Sequence, residues 1–253
     1  MRSHLILRGK AQSHVLLIAL LVTLALLPAA PVGAQGEALG EGFTAREQQV
    51  MASMSFLNGH PDLKYRTEGW RAFEAGRFAE ARNHLKRAAR YADKMSQAML
   101  AEMLWEGRGG AVDRPAAYAW ADIAAERGYP WIVAVRERYW AALDDDGRER
   151  AIAIGQELLK EYGDAVAKRR MSRHLRQSTR MPNRAGNPMR DAIIEVPGPG
   201  GMPIRLPGKD FFASRFWDPR EYHAWVDATW SGLPQGRVEV GDMQADEDAA
   251  EQP

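Results

Sequence analysis

Between Leu100 and Gly128, small and bulky residues fall at the spacing of two helices packed face to face around a glycine turn. The series is Leu100, Ala101, Leu104, Gly107, Gly109, Asp113, Ala117, Trp120, Ala124, Ala125 and Gly128. Such a pair leaves apolar surface uncovered, so it needs stacked neighbours, and a stack offers an extended surface rather than an enclosed reaction centre. The chain upstream supplies one neighbour. Tyr65, Gly69, Ala72, Ala81, Leu85 and Ala88 stand at matching offsets around Gly76, and Ala81, Ala88 and Ala89 recur thirty-six residues later as Ala117, Ala124 and Ala125. Small residues at these points let two backbones approach closely.

The second unit turns on Gly107-Arg108-Gly109-Gly110 before Asp113 caps the next helix, with Pro115 suited to its first turn. On these residues, together with Trp120, Ala124, Ala125 and Gly128, the chain resembles the Sel-one-like repeat (SLR) family of the tetratricopeptide-like superfamily. The resemblance is specific over Leu100–Gly128 and looser over Tyr65–Ala92. Ala101 replaces the usual glycine, Leu104 the usual tyrosine and Gly110 the usual valine. It implies an α-solenoid of antiparallel helix pairs and a protein–protein scaffold or adaptor role, non-catalytic and without a cofactor. The partner surface then falls on the first helices of the units, with Trp70, Phe73, Met103, Trp105, Arg136 and Tyr139 as candidates.

Periodicity extends the array to a third unit. Pro130 opens a helix through Trp131, Val135, Tyr139 and Ala142. Asp146 with Glu149 reads as a capping box for a helix whose apolar face is Ile152, Ile154, Leu158, Leu159 and Tyr162. A helix from Ala165 to about Gln177 closes the stack.

The N-terminus reads as a signal peptide over residues 1–34. Arg2, Arg8 and Lys10 precede an apolar run from Val15 to Leu27, and Val32-Gly33-Ala34 offers small residues for cleavage. The run is short for a membrane span, which takes ~20 residues, so the expectation is a periplasmic or secreted protein without a stable span. With no cysteine, an exported chain has no disulfides, and helix packing must carry its stability. Losing the leader's three basic residues takes the net charge from +1 to −2, so bulk charge says little about partners. Its distribution says more: Lys168, Arg169, Arg170, Arg173 and Arg176 form a basic patch continued by Arg180, Arg184 and Arg190, while residues 242–253 are acidic.

The organisation expected is therefore a linker with weak helix (35–60), helical repeats with a capping helix (61–178), and a turn-rich linker (179–191). A small α+β module (192–241) and an acidic disordered tail (242–253) follow. In the module, Ala192–Val196 and Met202–Leu206 read as strands around Pro197–Gly201, Asp210 as the cap of a short helix, Asp218–Glu221 as a helix start, and Arg237–Val240 as a last strand.

Chemistry-bearing residues are sparse. His60, His84, His174 and His223 are isolated, the run Asp144-Asp145-Asp146 suits a helix cap better than a cation, and Ser172, Ser178 and Ser214 lack a nucleophile's context. No metal site is expected. The aromatics of the module, with Trp217 and Tyr222 as candidate glycan contacts, support an alternative function as a peptidoglycan-binding module. The partner expected is a protein or peptide, with an acidic envelope component as a second candidate for the basic patch, and not nucleic acid.

Overall fold

Thr44 and Glu47 close a reciprocal cap in which the Glu47 N–H donates to Thr44 Oγ1 at 3.2 Å and the Thr44 N–H to Glu47 Oε2 at 2.6 Å. This cap starts α1 (Ala45–Ala52), and Ser53 breaks it from α2 (Met54–Gly59). The computed structural model describes residues 44–178 and 188–231; the leader, residues 35–43 and 179–187, the strand expected at Arg237–Val240 and the acidic tail lie outside the described residues. The described chain is mainly helical, with one two-stranded antiparallel sheet near its C-terminal end.

Two compact units divide it. The smaller gathers residues 44–56 with 189–211. Its strands, β1 (Ile193–Pro197) and β2 (Pro203–Pro207), pair with Ile194 opposite Leu206 and Val196 opposite Ile204. Ile194, Val196 and Leu206 point inward, as the period of two requires, and α1 and the short α10 (Gly208–Phe211) pack on β2. Val50, Phe56 and Phe211 complete this small core. Asp210 lies inside α10 instead of capping it, and the division passes between Phe211 and Phe212, within the segment read from sequence as one module.

The larger unit holds α3 (Pro61–Glu74), α4 (Phe78–Ala89), α5 (Lys94–Glu106), α6 (Arg114–Ala124), α7 (Pro130–Ala141), α8 (Asp145–Tyr162) and α9 (Asp164–Ser178). After the second strand come α11 (Ser214–Trp217) and α12 (Pro219–Ser231). Helix α3 packs on α4, α4 on α5, and α5 on α6. At the α3–α4 crossing a Cβ on Gly69 would lie 2.9 Å from the Leu85 side chain, so only glycine permits this approach. Asp113 caps α6, accepting from the Ala116 N–H at 3.1 Å, and the glycine loop before it runs close to α4: a Cβ on Gly109 would lie 2.8 Å from the Phe78 backbone. Ala81, Ala88, Ala117 and Ala124 are all fully buried.

Helix α8 departs from the sequence expectation in two ways. Its cap is Asp144, which accepts from the Gly147 N–H at 2.8 Å, so Asp146 is already helical. Its packed face runs through Ala151, Ile154, Gly155, Leu158 and Tyr162 and lies chiefly along α6, while Ile152 and Leu159 are 52% and 44% exposed. Gly155 faces Ala119 of α6, where a Cβ would make an ordinary contact at 3.9 Å. The third pair is thus not built as the first two are, since α8 lays its main face on α6 rather than on α7.

Left-handed residues follow helices in this unit at Gly76 (φ 72°), Ala92 (φ 67°), Gly107 (φ 72°) and Gly128 (φ 69°). A Cβ at Gly128 would meet nothing within 4 Å, so Gly128→Ala tests backbone strain alone. It should lower stability by about 1 kcal/mol in urea unfolding, against no change if the turn relaxes freely.

Candidate functional site

The first helices of the pairs carry an aromatic and arginine surface. On α3, Trp70 stacks on Phe73 at 5.8 Å, and Phe73 meets Phe78 of α4 edge-on at 5.3 Å. The Arg108 guanidinium covers Phe73 at 5.2 Å and pairs with Glu106. On α5, Trp105 lies flat on Tyr139 of α7, with centroids 4.0 Å apart and planes 1° from parallel. Arg114 covers the Trp105 ring at 5.1 Å, and Arg138 covers Tyr139 at 5.5 Å. Arginine over an aromatic face keeps its fork of donors available to a carboxylate while its plane is held. Glu102 sits in the same patch. Burial, reinforced by Glu106 and opposed by Arg108 and Arg138, pushes its carboxyl up to about 7. Burial first, and Glu102 next, push the Tyr139 hydroxyl up to about 12.

Four of the six partner candidates, Trp70, Phe73, Trp105 and Tyr139, thus belong to two adjoining clusters. Phe73 and Trp105 are half-buried and form the surface, whereas Trp70 and Tyr139 are buried beneath it. Met103 is buried in the core of α5, so it supports the surface without reaching it. Arg136 faces another way, toward Glu137 and Asp122 of α6.

A second constellation, which the sequence did not suggest, lies under α12. Tyr222 donates its hydroxyl to Asp62 Oδ2 at 2.5 Å, and Asp62 Oδ1 is buried without a partner. Burial pushes the Asp62 carboxyl up; Asp93 adds to this, the Tyr222 hydrogen bond and Arg66 oppose it, and it comes to rest at about 7. Arg66 meets Asp93 at 2.6 Å. Beside them, the buried Lys94 reaches Glu126 at 2.6 Å, Asp164 at 3.0 Å and the Ile123 carbonyl at 2.7 Å. Arg127 donates to both Asp164 oxygens, at 2.7 and 3.0 Å, to Asp227 at 2.9 Å and to the Ala92 carbonyl at 2.9 Å. Tyr129 donates to Asp227 at 2.7 Å. Burial pushes Asp164 up, but the Arg127 bonds and the charges of Lys94, Arg127 and Lys168 outweigh it and hold the carboxyl well below the usual range.

The histidines also acquire partners. His60 Nε2 meets the Phe216 carbonyl at 2.7 Å with Trp217 and Tyr222 beside its ring, and His84 Nδ1 lies 3.0 Å from Glu68 Oε2 without making a hydrogen bond to it. His174 reaches the Asn58 carbonyl at 3.3 Å. His223 Nε2 lies 3.1 Å from Ser172 Oγ, a pairing of α9 with α12; burial first, then Lys168 and Arg127, hold this imidazole below its usual value. Among the described residues, no three histidines or carboxylates gather to hold a metal ion, and no helix is long and apolar enough to cross a membrane.

The remaining candidates divide. Trp217 and Tyr222 are buried, Trp217 against Gly59 and His60, and Tyr222 on Asp62, so neither offers a ring face to a sugar. Trp217 lies in the short α11 and Tyr222 in the first turn of α12, both turned inward. The basic patch splits by helical angle: Arg169, Arg173 and Arg176 share the exposed stripe of α9. Lys168 meets Asp164 at 3.3 Å and Asp227 at 3.6 Å, and Arg170 bonds the carbonyls of Arg90 and Glu161.

Comparison with protein-family models, with characterised proteins and with solved structures finds no match for this chain.

Proposed function

We propose that the chain is an exported, non-catalytic interaction protein whose helical segment is a Sel-one-like repeat array, acting as a scaffold or adaptor for a protein or peptide partner in the cell envelope. The observation that carries this is the arginine-covered aromatic surface of α3, α5 and α7, with Phe73 and Trp105 half-buried at its centre. Trp, Tyr and Arg are the side chains that most often dominate binding energy at protein interfaces. Three arginines in the patch favour a partner segment bearing carboxylates.

The repeat reading draws support from equivalent positions. Helices α4 and α6 begin thirty-six residues apart, as do α5 and α7, and the left-handed Ala92 and Gly128 keep the same separation. Two units fit the pattern, and α7, α8 and α9 would then close the stack. Export rests on the leader-like residues 1–34. The glycan alternative loses its two candidate contacts to burial and is not pursued.

A photo-reactive phenylalanine analogue placed at Trp105 tests the reading in intact cells. It should give a discrete protein adduct that the same analogue at Gln156, on the exposed face of α8, does not give. Equal labelling from both positions, or none from Trp105 and Phe73, overturns it.

A further inference from the structure

Helix α12 packs most closely on α11 and α9, and its side chains also reach the face that the first helices of the pairs build. Trp230 places its ring 4.9 Å from the Arg66 guanidinium of α3, and it packs with Ala98 of α5 and Val133 of α7 onto the cluster of Ala124, Ala125, Tyr129 and Ile132. One turn earlier Asp227 takes the hydrogen bonds of Arg127 and Tyr129, and at the helix start Tyr222 bonds Asp62 of α3. An aromatic, a carboxylate and a second aromatic at i, i+5 and i+8 thus dock one amphipathic helix across three others, the arrangement by which a helix occupies a receptor face.

Tyr222 and Val226 are buried among the thirteen residues of α12, a share like that of the outer helices α7 (two of twelve) and α8 (two of eighteen) and far below that of α6 (seven of eleven), and Asp227 remains 39% exposed. Elements with few buried apolar side chains open at a lower cost than the core.

We infer that α12 is an intramolecular occupant of the partner-binding face, and that the partner presents an amphipathic helix of the same chemistry, with two aromatics eight residues apart and a carboxylate between them. This rests on the proposed function and extends it: the aromatic patch around Trp105 is the open part of the face, and the part under α12 becomes available when α12 lifts. Charge complementarity selects the carboxylate, since Arg127, Lys168 and Arg66 all face it or its flanking aromatics.

The test uses the full chain and a fluorescent peptide of residues 219–231. Hydrogen exchange on the unmodified protein should show the α12 amides exchanging together, at least about tenfold faster than those of α6. Peptide anisotropy should report weak binding to the wild type and binding about tenfold tighter to Trp230→Ala, whose own helix competes less well. A peptide carrying Trp230→Ala should lose that binding. If α12 exchanges as slowly as α6 and the peptide binds neither protein, α12 is a fixed part of the core and the inference falls. The crosslink from Trp105 would then still stand or fall by itself, so the two readings fail separately. Tighter binding that the Trp230→Ala peptide retains also overturns the inference, because the aromatic anchor would not be what the face reads.

Discussion

Asp62→Asn should raise the midpoint of thermal unfolding by roughly 10 °C at pH 8 and change it little near pH 4. The carboxyl of Asp62 is fully enclosed, one oxygen takes the Tyr222 hydroxyl, and the other has no partner. Its titration is displaced from an ordinary 3.8 to about 7, burial being the largest cause. A carboxyl raised in this way contributes its full stability below about pH 4, where it is protonated folded or unfolded. That stability is lost as pH rises toward and through 7, because the unfolded chain ionises freely and the folded one does not. At about 1.4 kcal/mol for each pH unit of displacement, the wild type gives up on the order of 4 kcal/mol by pH 8. Asparagine keeps the acceptor for Tyr222 and has no charge to bury. For a unit of this size each kcal/mol moves the midpoint by about 2–4 °C, which gives the expected rise. The difference between variant and wild type isolates Asp62, since every other carboxylate is common to both. Parallel pH profiles for the two proteins would show that this group does not titrate in the expected range.

What could be read from the sequence was what depends on neighbours along the chain. Asp113 and Asp218 cap the helices they precede, the strands at Ile193 and Pro203 pair as alternation requires, and the alanines at 81, 88, 117 and 124 are contact points. Each of these is fixed by residues three or four positions away, or by a simple period. The face of α8 was not legible, because two adjacent stripes, one with Ile152 and Leu159 and one with Ala151 and Leu158, compete in composition. The packing of α8 along α6, which buries Ala151 and leaves Ile152 and Leu159 outside, separates them.

The polar network was illegible for a related reason. Arg127 meets Asp164 across 37 positions and Asp227 across 100. In the chain these charges look like ordinary solvated helix faces, and the rule that long charged side chains stay outside holds unless they are paired. Ser172 and His223, 51 positions apart, were equally unconnected. The aromatic surface fared better: its residues were named from the expected first-helix face, and the error lay in depth. Helical spacing gives the side of a helix, whereas burial of Met103 and Tyr139 depends on what neighbouring helices bring over them, Trp105 of α5 in the case of Tyr139.

The network sets the second large expectation, that Arg127→Ala costs about 3–5 kcal/mol of stability. The side chain is 7% exposed and spends its donors on three elements at once: the turn between α4 and α5 through the Ala92 carbonyl, the start of α9 through Asp164, and α12 through Asp227. Truncation leaves the half-buried Asp164 with Lys94 and Lys168 but without its two-pronged bond, and removes the charge that Asp227 and the Tyr129 hydroxyl face. Lysine at this position keeps the charge but presents a single ammonium where a planar fork is needed, so Arg127→Lys should recover only part of the loss. The pH dependence gives the mechanism. Asp164 is held below its ordinary titration range, so the stability it brings is present above about pH 4 and is lost as the solution becomes more acid. Removing Arg127 takes away the largest of the interactions that hold it there, and the acid side of the stability profile should flatten. A double-mutant cycle of Arg127→Ala with Asp164→Ala should return a coupling above about 1 kcal/mol in urea unfolding. Additive losses, or a loss under 1 kcal/mol for the single change, would mean that solvent replaces this arginine at little cost, and that apolar contacts alone hold α9 and α12 to the helix pairs.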